Sequence, residues 1–119
     1  MTVLPVLQRE LLAARRDGDR AAAAALRTTL AALANAEAVP AEGVVGADDD
    51  AHVAGSRRGA GAAEAERRTV TEAEQQAIVR AELDDLRSAA AAYDSLDPQR
   101  AAVARSGADT LARVLAETT

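Results

Sequence analysis

Glu72, Glu74 and Glu82 lie close together in the sequence, and neighbouring carboxylates are what general acid–base chemistry needs, one giving a proton while another takes it. Glu74, however, completes a capping box in Thr71-Glu72-Ala73-Glu74, the Thr71 hydroxyl serving the Glu74 amide and the Glu74 carboxylate returning to the Thr71 amide. No aromatic residues flank these glutamates to wall a pocket, so they read as surface charge. His52, the only imidazole, follows Asp48-Asp49-Asp50, a mixed nitrogen and carboxylate set for a divalent metal. Ordered metal sites hold their ligands on rigid elements, and this stretch reads as a solvated acidic loop instead. Gly55-Ser56-Arg57-Arg58-Gly59-Ala60-Gly61 has glycines that let backbone amides approach an anion, but it lacks the Lys-Ser/Thr ending of a phosphate loop. Ser56, Ser88, Ser95 and Ser106 have only His52 as a base, and no Gly-x-Ser-x-Gly elbow is present. The residue types imply no catalytic site, no metal and no cofactor.

The elements that would position these residues are helical. Leu4, Leu7 and Leu11 recur at spacings of three and four, the mark of one helical face, and predict a helix over about 2–16 that stops at Gly18. Asp19 is an N-cap for a second helix over 19–38, with Leu26, Leu30 and Leu33 on one face among alanines, the strongest helix formers. The short Asp-Gly-Asp connection predicts an antiparallel pair. From 39 to 70 the periodicity vanishes among Pro40, the three aspartates and Gly55, Gly59 and Gly61, and a long loop is expected. Thr71 opens a third helix to about Ser95, with Val79, Leu83, Leu86, Ala90 and Tyr93 along a seam suited to another helix. Asp97-Pro98 is an N-cap and first-turn pair, opening a fourth helix to 116. Val103, Gly107, Leu111, Val114 and Leu115 mark its buried side, with Gly107 weakening the middle. The expectation is an all-α single domain, four helices in two antiparallel hairpins joined by a Gly/Asp-rich loop.

Composition sets the scale of the core. Of 119 residues, 33 are alanine and only 25 are larger apolar residues, with Tyr93 the sole aromatic. Burial must come from Leu and Val, each worth about 1.5–3 kcal/mol when fully buried. The formal charge of −5 is spread as +1 over 1–38, −2 over 39–70 and −4 over 71–119. An autonomous nucleic-acid binder displays a basic field, so DNA and free RNA are disfavoured as partners. Arg9, Arg16, Arg20 and Arg27 would form a stripe only on a helix continuous through Gly18. Zero cysteines exclude disulfides and thiolate chemistry and fit a reducing cytoplasm. The Val3-Leu4-Pro5-Val6-Leu7 patch is broken at once by Gln8, Arg9 and Glu10, unlike a signal peptide, and no apolar run approaches the roughly 20 residues of a membrane span. A soluble protein without membrane contact is expected.

Two segments resemble the GatB/YqeY domain family, small bacterial proteins related to the tail region of the GatB subunit of tRNA-dependent amidotransferases. Leu26-Arg27-Thr28-Thr29-Leu30-Ala31-Ala32-Leu33-Ala34-Asn35-Ala36-Glu37 is similar to the family's Leu-Arg, Leu-Ala-Ala-Ile, Asn-Ala-Glu run. After Arg67-Arg68, Val70-Thr71-Glu72-Ala73-Glu74 and Ile78-Val79-Arg80-Ala81-Glu82 are similar to its Leu-Thr-x-x-Glu opening and Val-x-x-Glu helix. The resemblance covers nearly the whole chain and singles out Arg27, Asn35, Glu37, Arg80 and Glu82 as binding residues. It implies a cytoplasmic helical accessory module in the setting of tRNA-dependent amidation, with a carbon–nitrogen ligase activity using glutamine as amide donor credited at family level.

Family members continue through a Tyr-Leu-Pro into a second helical domain that has no counterpart up to Thr119, so only the N-terminal helical part is expected. Asp84-Asp85-Leu86 stands where the family carries a basic or polar run, so contact of this helix with tRNA is not expected. The partner implied is a protein, tRNA entering by family analogy alone. A structural or homodimerising protein with no tRNA link is the alternative, favoured by the acidic charge and the Ala-rich seams. The plain structural reading of these residues has Arg27 paired with a carboxylate and Asn35 capping or stabilising the loop exit.

Overall fold

The computed structural model describes residues 1–38 and 69–119, and within them the protein is all-α: α1 (Val3–Asp17), α2 (Arg20–Ala38), α3 (Glu72–Tyr93) and α4 (Pro98–Thr118). The expected loop lies outside the described residues except for Thr69 and Val70, and with it His52, the Asp48–Asp50 run and the Gly55–Gly61 stretch. The chain divides into two units, Met1–Leu33 with Thr71–Thr119, and Ala34–Val70. The first holds the four-helix core. Of the second, the described part is the last turn of α2 and residues 69–70.

Each helix start follows from its local chemistry. The Glu74 amide donates to Thr71 Oγ1 at 3.1 Å and the Thr71 amide to Glu74 Oε1 at 3.0 Å, completing the capping box. Asp97 Oδ1 accepts the Arg100 amide at 3.1 Å with Pro98 in the first turn, and Asp19 Oδ1 accepts the Ala22 amide at 3.0 Å. Such caps satisfy N–H groups that have no partner inside the helix. Gly18 ends α1 at φ 70°, ψ 22°, the left-handed region that glycine enters without steric cost, and lets its own amide reach Arg15 O and the Asp19 amide reach Ala14 O. Helix α3 ends two residues before the expected Ser95, because the Leu96 and Asp97 amides both turn back to Tyr93 O. Helix α4 runs two residues past the expected 116, its end closed by the Thr119 amide on Leu115 O.

The first turn of α1 has a different kind of cap. Its flanking Thr2 makes no side-chain cap, and the Val3 amide donates to Glu72 Oε2 of α3 at 2.9 Å. Gln76 Nε2, one turn along α3, reaches the same carboxylate oxygen at 3.4 Å and Thr118 O at 3.0 Å. One carboxylate and one amide therefore tie the start of α1 to the end of α4. Arg9 adds to that tie by bridging Glu10 and Glu117.

Helices α3 and α4 are the most extensively packed pair, and α1 lies mainly against α4. The contacts Tyr93 with Arg100, Leu86 with Gly107 and Gln76 with Thr118 run in opposite chain order, so α3 and α4 are antiparallel. Val3, Val6 and Leu7 of α1, Leu26 of α2, Val79 of α3, and Leu111 and Val114 of α4 are fully buried. The buried face of α1 is turned from the one expected: Val3 and Val6 are inside, Leu11 is half-buried and Leu4 is 39% exposed. Val103, expected on the buried side of α4, is 52% exposed.

Gly107 is buried, as expected, and has a packing role besides its cost to the helix. It lies in the middle of α4, and a Cβ there would stand 3.1 Å from the Ala25 methyl and 3.3 Å from Leu86 Cδ1. Its missing side chain lets α2, α3 and α4 meet at one point, so the glycine that lowers helix propensity is also what permits the close crossing. The three buried threonines, Thr29, Thr110 and Thr118, spend their hydroxyls on carbonyls of their own helices at 2.8, 3.1 and 3.1 Å. Among the described residues no buried side-chain polar atom lacks a partner.

Candidate functional site: an apolar groove over the fourth helix

Away from the Gly107 crossing, α2 leaves part of α4 uncovered, and a groove of about 340 Å³ opens there. Its α4 face is Arg100, Val103, Ala104 and Gly107, a stripe at helical spacing. Ala21, Ala24, Ala25 and Thr28 of α2 form one wall, and Glu82, Leu86 and Tyr93 of α3 the other. Alanine and glycine dominate because a side chain larger than methyl on α2 or at 107 would fill the space between the helices. The volume falls at the lower end of the range of small-ligand sites, but the groove is open along its length and its lining offers few polar groups.

The polar groups sit toward its two ends. Glu82 is half-buried, and its carboxyl is held above the usual carboxylate range, first by burial and then by repulsion from Asp85. Eleven residues on, about 16 Å along the helix axis, Tyr93 meets Arg100 of α4. The Arg100 guanidinium lies 5.7 Å from the Tyr93 ring centroid and its Nη1 is 3.5 Å from the Tyr93 hydroxyl, a cation–π contact more than a hydrogen bond. Arg100 Nε is also 3.4 Å from Asp97 Oδ2, and its pKa is raised by Tyr93 first and by Asp97. The ring and the carboxylate hold Arg100 at this end while its exposed guanidinium keeps donors free for a further acceptor.

The five residues singled out by resemblance are not brought together. Glu82 lines the groove. Arg80, two positions earlier on α3, is exposed and outside the lining. Arg27 is exposed and faces a smaller cleft of about 260 Å³ at the α1–α2 turn, with Arg15 and Arg20. Arg27 makes no ion pair among the described residues, so the expected carboxylate partner is not found there. Asn35 is exposed and Glu37 half-buried, both in the second unit. The glutamates of the acid–base reading are separated by use: Glu72 caps α1, Glu74 caps its own helix, and Glu82 faces the groove.

Tyr93, Arg100 and Gly107 were not marked as site residues by sequence. The available signal was Gly107, a glycine at a position of α4 expected on its buried side. Among the described residues no group of three or more His, Asp or Glu is placed to hold a metal ion, and no helix is long and apolar enough to cross a membrane. Compared with known proteins, the chain matches no family model, and no curated protein and no solved structure is significantly similar to it.

Proposed function

We propose that this chain is a non-catalytic helical interaction module that binds a protein partner through the groove over α4, in the cytoplasmic setting of tRNA-dependent amidation. The observation that carries the binding role is Val103, an aliphatic residue 52% exposed in the middle of a stripe whose neighbours Ala104 and Gly107 are buried. An aliphatic side chain half open to water at the edge of an apolar groove gives a docked apolar surface area to bury. The groove offers one half-buried carboxylate and one guanidinium, a set suited to orienting a partner and not to moving protons between paired groups.

The setting is supported by the resemblance of Leu26–Glu37 and Val70–Glu82 to the GatB/YqeY family. Net charge argues that contact with tRNA runs through the protein partner and not through this chain. Immobilised protein is incubated with tRNA and with amidotransferase subunits at low and physiological salt. Capture of a subunit at both salts is the expected result. Retention of neither subunit nor tRNA would sink the reading.

A further inference from the structure

Resting on that reading, we infer that the groove takes one amphipathic α-helix of the partner, about three turns long, carrying a basic residue against Glu82 and an acidic residue against Arg100. Three observations define this occupant. The α4 face of the groove, with Arg100 and Val103 exposed and Ala104 and Gly107 buried at its floor, has the periodicity with which one helix packs on another, and it is walled on both sides by helices. The walls are mostly methyl groups, and Ala21, Ala24 and Ala104 let a helix backbone approach closely while Leu or Val side chains of the occupant fill the space beside Val103 and Leu86, the point over Gly107 being already closed by Ala25 and Leu86.

The charges have opposite sign at the two ends, Glu82 standing eleven residues, about 16 Å or three helical turns, along α3 from the Tyr93 that holds Arg100. An occupant helix with a cation and an anion at the same separation meets both at once. Glu82 has no salt-bridge partner among the described residues, and Arg100 has donors beyond those it turns to Asp97 and Tyr93.

Area decides between a single helix and a second copy of this chain. A strip about 16 Å long and one helix wide, about 10 Å, is far smaller than the ~800 Å² per partner of a stable protein pair. Two concave faces set against each other would also leave the space over Ala104 and beside Val103 unfilled. A convex helix fills it.

The test uses the full chain and two fluorescent 16-residue Ala-rich peptides with blocked ends, each with a Leu/Val stripe and one Lys and one Glu eleven positions apart. The peptides differ in which charge comes first. Anisotropy titration is expected to show saturable binding of one order, weakened at least tenfold by Glu82→Lys or by Arg100→Glu. The Glu82→Lys/Arg100→Glu double variant is expected to bind the opposite order. Val103→Glu, at an exposed position that leaves the helical circular dichroism unchanged, is expected to abolish binding of both.

Binding of neither peptide at millimolar concentration, or binding insensitive to all of these variants, overturns the inference. So does sedimentation showing a dimer of the unlabelled chain that Glu82→Lys disrupts, since the occupant is then a second copy. Capture of an amidotransferase subunit without peptide binding sinks the helix occupant alone. Peptide binding without capture sinks the functional setting alone.

Discussion

Gly107 and Ala25 approach so closely that a methyl group on Gly107 would meet the Ala25 methyl at 3.1 Å. In an isolated helix, replacing glycine by alanine is favourable by about 1 kcal/mol. Here the added methyl presses on a Cβ fixed to the α2 backbone, and overpacking of this kind costs about 1–3 kcal/mol. Gly107→Ala is therefore expected to lower stability by about 1 kcal/mol in urea denaturation. Ala25→Gly combined with Gly107→Ala is expected to cost less than the sum of the two single changes, because the second glycine removes the clash. Additive losses would show that the crossing is looser than its geometry states.

Glu72→Ala removes the acceptor of the Val3 amide and the partner of Gln76. Loss of a helix cap costs about 0.5–2 kcal/mol, and this one also joins α1 to α3, so a value near the upper end is expected by chemical denaturation. Glu72→Gln keeps a carbonyl oxygen in place and is expected to lose less. Equal losses for the two variants would mean that charge, and not the acceptor atom, holds the contact.

Glu82 titrates above the ordinary carboxylate range because burial and Asp85 disfavour its charged form. A carboxyl whose folded pKa is raised favours the folded state when protonated. That contribution is fully present below the unfolded pKa of about 4.3 and is lost as pH rises through the folded pKa. Glu82→Gln is accordingly expected to raise the melting temperature at pH 7 and to leave it nearly unchanged at about pH 3, where both forms are neutral. A melting temperature unaffected at either pH would remove Glu82 from the set of desolvated groups.

The core is thin, so each large residue carries much of it. Leu111 and Leu26 are fully buried, and truncation of either to alanine is expected to cost about 2–5 kcal/mol. Leu12, 62% exposed, serves as the control, and Leu12→Ala is expected to change stability by less than about 0.5 kcal/mol.

The caps at Asp19, Thr71 and Asp97 were readable because a cap is set by residues within one turn, and the spacing of polar acceptor and following helix is all it needs. The buried face of α1 was not. Leu4, Leu7 and Leu11 share a helical face, but which part of that face turns inward depends on α3 and α4, which favour Val3 and Val6. The groove was illegible for the same reason. It exists because α2 crosses α4 at Gly107 and leaves Val103 uncovered, a relation between distant segments that no local pattern encodes. Gly107 read alone as a weak point of a helix, since propensity is local and close approach is not. Glu82 was singled out by resemblance, whereas Arg100 and Tyr93 pair only once the turn at 94–97 folds the two helices together.

The Glu72 carboxylate and the Gln76 amide join Val3 to Thr118, spanning 69 residues of chain at one end of the link and 42 at the other. The α3–α4 pair needs only a short loop closure to form, but the first amide of α1 finds its acceptor only when α1 docks on α3 across 69 residues of chain. In native-state hydrogen exchange, the Val3 N–H should then exchange at a rate set by separation of α1 from α3 and not by fraying of its own helix. The amino-terminal amide thus reports on its docking to the far half of the protein.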